Sequence, residues 1–136
     1  MRIMIENHRG RPRGWTGRTL PRLLPVQSPN SLDIAFAAGF YEGEGSIQRI
    51  GSPESTAEGS TLVIVGQKNR EVLDRLREFF GGSVGESIRK DGIFYYWRIT
   101  GVLARGFVLT VYKFLSRHRR KQIRECLRIG EYKTCA

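Results

Sequence analysis

The stretch Ala37-Ala38-Gly39-Phe40-Tyr41-Glu42-Gly43-Glu44-Gly45-Ser46-Ile47 decides the fold of this chain. Ala35, Gly39 and Gly43 recur every four residues, so a helix through them carries one nearly bare stripe. Two such helices can approach backbone to backbone. Ser31 is the expected cap of this helix, over 32–41, with Asp33 in the first turn and Gly45 as its stop. Glu42 and Glu44 then fall against the negative end of the helix dipole. That placement costs free energy unless a cation or a basic partner compensates, which makes the acids a candidate metal site.

Working outward, 46–50 reads as a short strand, 51–59 as a loop with Pro53, and 61–67 as a Val/Ile-rich strand. Asn69 caps a second helix. Its apolar residues Val72, Leu73, Leu76, Phe79 and Phe80 share one face, and Gly81-Gly82 ends it. Asp91-Gly92 between 84–90 and 93–100 is a two-residue hairpin signal. That turn predicts Arg89 opposite Phe94, Ser87 opposite Tyr96 and Gly85 opposite Arg98. The other face, with Val84, Glu86, Ile88, Tyr95, Trp97 and Ile99, is more apolar and is expected to pack on helices. Leu103, Phe107, Val111 and Leu115 form a helical stripe, and a basic helix is expected over about 119–129. The element order is α-β-β-α-β-β-α, an α+β fold with helices on one face of the sheet.

A chain of 136 residues with 40% hydrophobic residues supports one core. No apolar run is long enough for a membrane-spanning helix. The net charge of +10 points to a polyanion, by default nucleic acid. Residues 1–30 hold six arginines and one acid, half of that excess, with Pro and Gly scattered through them. They read as a flexible basic arm ahead of a domain over 31–136, although the composition also fits an organellar transit peptide. Cys126 and Cys135 form no CxxC, and His8 and His118 lie far apart. A disulfide framework and a finger-type zinc site are therefore excluded, and the expected setting is a reducing intracellular compartment, a bacterial cytoplasm or an organelle.

Residues 37–45 resemble, place by place, the nine-residue motif of the LAGLIDADG homing endonucleases, with Ser46-Ile47 as a frequent continuation. Val65-Gly66-Gln67-Lys68 resembles a strand end of that family. Phe114-Leu115 with Arg119-Arg120-Lys121-Gln122 resembles its basic segment before the last helix. The resemblance covers about 31–130 and implies a four-stranded antiparallel saddle sheet. It also implies that Glu44 binds Mg²⁺ or Mn²⁺, that Glu42 is structural, and that Gln67 positions a water network. By the same resemblance Arg119, or Lys121 as runner-up, matches the family's basic residue near the scissile phosphate. Read without the resemblance, Gln67 merely closes a strand and 117–121 is a solvated basic face.

A single motif implies a homodimer through Ala35, Ala38, Gly39 and Gly43, and a long, nearly palindromic double-stranded DNA target. The expected DNA contacts are Ser46, Gln48, Lys68, Arg70, Arg89, Tyr96 and Arg98. The implied reaction is metal-dependent hydrolysis of both strands. The alternatives are a catalytically inactive relative serving as an RNA-splicing maturase or a DNA-binding regulator.

Overall fold

The computed structural model describes residues 24–50 and 60–128. The expected loop 51–59, most of the basic arm and Cys135 lie outside the described residues. Helix α1 spans Ser31–Glu44. Its cap is Asn30 rather than Ser31: the Asn30 side chain accepts from the Asp33 N–H at 2.9 Å, and Asp33 accepts from the Asn30 N–H at 3.0 Å. This reciprocal pair decides the position. A cap at Ser31 would put Ile34 at the third helical residue, which cannot bond back. Residues 24–30, expected as the end of the arm, are docked. Val26 and Gln27 donate their N–H groups to the Glu78 carbonyl, at 2.8 and 3.2 Å.

Strand β1 (Gly45–Ile50) follows α1 directly and pairs with β2 (Ser60–Gln67). Helix α2 (Arg70–Phe80) is capped by Asn69, whose side chain accepts from the Glu71 N–H at 3.0 Å. Gly81 and Gly82 turn the chain out of α2 at φ of 86° and 92°, a region that side chains rarely enter. Strands β3 (Ser83–Arg89) and β4 (Gly92–Thr100) form the hairpin, and helix α3 (Gly101–Val111) follows. A 3₁₀ turn at Tyr112–Phe114 leads to α4 (Arg117–Leu127), so Leu115 lies beyond α3 and the basic helix begins two residues before its expected start.

The sheet order is β1-β2-β4-β3, antiparallel throughout. The hairpin turn is Lys90-Asp91, with Arg89 opposite Gly92, Ser87 opposite Phe94 and Gly85 opposite Tyr96. The expected register was therefore off by two residues. A two-residue slip keeps every side chain on its own face, so the division into faces held. Val84, Trp97, Val63, Val65 and Ile99 are buried beneath the helices. Phe107 of α3 sits at the centre, with its ring 4.8 Å from Phe80 and 4.9 Å from Trp97, both edge-on. Trp97 Nε1 donates to the Gly81 carbonyl at 2.9 Å, which satisfies the buried indole. Each such aromatic contact adds about 0.5–1.5 kcal/mol beyond burial. No helix of the described residues is long and apolar enough to cross a membrane.

Candidate active site and nucleic-acid interface

The C-terminal end of α1 meets the N-terminal end of α4. The Glu42 carboxylate accepts from the Ser116 N–H and from its hydroxyl, both at 2.8 Å. Ser116 is also the cap of α4, accepting from the Arg119 N–H at 3.2 Å. An anion at the start of a helix is favoured by the dipole. The Ser116 N–H above all, with its hydroxyl and the Arg119 charge, holds the Glu42 carboxyl below its ordinary 4.5 against the opposing effect of desolvation. Glu42 is thus a clamp between the end of α1 and the start of α4.

Arg119 completes the junction. Its Nε donates to the Glu42 carbonyl at 3.2 Å, its Nη1 donates to Gln122, and its guanidinium lies 5.3 Å above the Tyr41 ring. The last turn of α1 holds no basic residue of its own, so the compensating cation comes from α4. Tyr41 is fully buried, and burial pushes its phenol up to about 12 while Arg119 pulls the other way. A Cβ at Gly45 would overlap the Tyr41 ring, so glycine is required there by space.

Glu44 is exposed and makes no hydrogen bond or ion pair among the described residues. Gln67 stands at the same end of the sheet, because Gly45 pairs with Val65 two residues earlier. Its Oε1 accepts from the Lys68 and Asn69 N–H groups at 2.9 and 3.4 Å, which shapes the turn into α2. Lys121 is not part of this junction. It lies about 200° around α4 from Arg119 and is exposed, on the side away from buried Ile123. Among the described residues no three His, Cys, Asp or Glu gather to hold a metal ion.

The sheet face away from the helices carries Ser46, Gln48, Tyr96, Arg98 and Arg89 together. Ser46, Ile64, Arg98 and Ser83 form one row across all four strands. Arg89 donates to the Tyr96 hydroxyl and lies 4.2 Å above the Phe94 ring. Lys68 pairs at 3.8 Å with Asp91 of the hairpin turn, an exposed contact worth less than about 1 kcal/mol. Arg70 is not on this face. It pairs with Asp74 at 3.5 Å and sits 5.8 Å from the Tyr95 ring, on the side covered by helices.

On α1, Ala35, Gly39 and Gly43 are exposed beside Leu32, and a Cβ at either glycine would meet nothing within 4 Å. Ala38 does not belong to this stripe. It is 2% exposed in the chain's own core, because one residue is a rotation of about 100° from Gly39. Sequence reasoning missed Ser116, Phe94 and Gly66. Only Ser116 left a local signal, a hydroxyl residue immediately before a helix.

No family model and no curated protein matches the sequence. Solved structures do. The homing endonuclease I-CvuI, in complex with the I-CreI target, is 21% identical, with a TM-score of 0.57 over 74% of this chain. The archaeal intron-encoded homing endonuclease I-Vdi141I, complexed with DNA, is 23% identical, with a TM-score of 0.53 over 69% of this chain. The homing endonuclease I-TnaI is 23% identical, with a TM-score of 0.50 over 76%. The match spans 66% of I-CvuI and 65% of I-Vdi141I. Identity at this level speaks for the fold, and the chain therefore has the α+β fold of the LAGLIDADG homing endonucleases.

Proposed function

We propose that this chain is a site-specific DNA endonuclease that acts as a two-fold homodimer and hydrolyses both strands of a long, nearly palindromic duplex. The observation that carries this reading is the end of α1. An exposed Glu44, without a partner among the described residues, stands there with an exposed stripe of small residues and a helix-capping arginine. Two chains packed along Ala35, Gly39 and Gly43 bring two copies of Glu44 to one dyad.

The donor set fits a hard divalent cation in such a pair. One chain offers a single free carboxylate, while Mg²⁺ or Mn²⁺ is held by one or two carboxylates with waters and phosphate oxygens. Glu44 of each chain would hold such an ion, which would supply an activated water and stabilisation of charge on the leaving oxygen. Arg119 contributes fixed positive charge at the end of α1, with Nε held by the Glu42 carbonyl and Nη1 by Gln122. Gln67 keeps its amide N–H groups for a water at the same end of the sheet. Ser46, Gln48, Tyr96, Arg98 and Arg89 face the bases, and Lys68 faces the backbone. Dimerisation doubles the charge from +10 to +20, which makes the affinity strongly salt-dependent.

The test begins with selection of bound duplexes from a randomised library in Ca²⁺, followed by cleavage of the selected site in Mg²⁺. Wild type is expected to cut, and Glu44→Gln to bind at least as well and lose cleavage about 100-fold or more, a barrier rise of about 3 kcal/mol. Wild-type cleavage rates for Glu44→Gln would overturn the role of Glu44. A wild type that binds without cutting in any divalent metal would make the chain a DNA-binding regulator.

A further inference from the structure

We infer that Phe94, Tyr96 and Gly66 form a mount that holds Arg89 as a preformed reader of guanine in the major groove, so that Phe94 and Tyr96 are positioning residues for base recognition. The inference rests on the DNA-binding reading of the open face and adds which side chain reads which base.

The mount is built from the backbone upward. On the open face Tyr96 has glycine on both sides, Gly66 of β2 and Gly85 of β3. Glycine inside a strand weakens it and marks a close approach by another group. At Gly66 that group is the Phe94 ring: a Cβ there would meet Phe94 Cε2 at 2.6 Å and Cζ at 3.1 Å. The missing side chain lets the ring lie down across β2. Phe94 and Tyr96 then meet edge-on, with ring centroids 5.3 Å apart and planes at 67°.

Arg89 comes from the paired strand, next to the hairpin turn. Its guanidinium lies 4.2 Å above the Phe94 ring, and Nη2 donates to the Tyr96 hydroxyl. One aromatic face and one acceptor fix the plane and the azimuth of the fork. Arg89 remains exposed, and one of its five N–H donors is used. The rest can present two parallel donors to one partner, the pattern that guanine O6 and N7 accept. Much of the side-chain entropy that binding would otherwise remove is already gone. Arg98 shares the face but has no side-chain partner among the described residues. The two arginines therefore differ in preorganisation, and Arg89 is the one built for base identity. The Tyr96 hydroxyl accepts from Arg89, so its part in the mount is exerted through that residue.

The same selection on randomised duplexes separates the cases, with the dimeric full-length chain and the variants Arg89→Ala, Phe94→Leu, Phe94→Trp and Tyr96→Phe. Wild type is expected to enrich guanine at one position in each half-site. Arg89→Ala should lose that preference about tenfold or more. Phe94→Leu and Tyr96→Phe should lose it severalfold at that position alone, with the preference at other positions unchanged. Phe94→Trp keeps a ring face and should retain it. A position-specific loss restored by Trp supports the mount. Unchanged base preference in both Phe94→Leu and Arg89→Ala overturns the inference while leaving the proposed function intact. A wild type that enriches no duplex overturns both.

Discussion

Glu42→Gln tests the helix junction with an almost isosteric change. The carboxylate accepts two hydrogen bonds at 2.8 Å from Ser116 and lies at the positive end of α4. In the variant the best arrangement keeps Oε1 on the Ser116 N–H and turns the new amide N–H toward the Ser116 hydroxyl. Both bonds survive, but neither is charge-assisted, and a neutral bond is roughly half as strong. The lost interaction with the helix dipole adds about 0.3–1 kcal/mol. Glu42 is only half-buried, so solvent screens both effects. The expected loss is about 1 kcal/mol, or about 3–5 °C in Tm for a domain of this size. The pH dependence carries the sign. The folded-state pKa of Glu42 is depressed, so its contribution is present above the ordinary 4.5 and fades as the pH falls through the lowered folded value. Thermal melts followed by circular dichroism should show the full gap between wild type and variant near neutral pH. They should show little gap once both states are protonated. Equal melting at neutral pH, or a gap that widens on acidification, would refute the clamp.

Gly39→Leu fills open space within one chain, so the fold should persist while the dimer is abolished. Sedimentation velocity checks this, and a variant that stays dimeric removes α1 from the interface. Gly45→Ala drives a methyl into the Tyr41 ring and should cost about 1–3 kcal/mol in chemical denaturation. An unchanged midpoint would mean that the ring moves freely aside. Deleting residues 1–23 should flatten the salt dependence of DNA binding without lowering stability. Extending the deletion through Asn30 removes the cap of α1 and the bonds to Glu78, a loss of about 1 kcal/mol or more. Equal melting of the two truncations would refute the docking of 24–30.

Local chemistry was legible in the chain. The Asn69 cap, the apolar face of α2 and the glycines that end it are set by residues within a few positions of one another. The same holds for the alternation that sorts Trp97 inward and Arg98 outward, which survived a register error of two. The nine residues at 37–45 also pointed to the fold, through their place-by-place resemblance to the motif of a known family. Tertiary structure decided what depended on distant partners. Arg119 caps a helix 77 positions earlier in the chain, and Ser116 clamps Glu42 across 74. No periodicity encodes such pairs. Ala38 and Gly39 are neighbours in sequence, yet one is core and the other open, because only the packing of α1 on the sheet fixes which way the helix is turned. Phe94 of β4 reaches Gly66 on the neighbouring strand β2, an arrangement set by sheet order and register together. Local spacing limits which groups can share a face. Which of those groups meet is decided by the long-range pairing of strands and helices, where loop-closure entropy is offset only by the whole core at once.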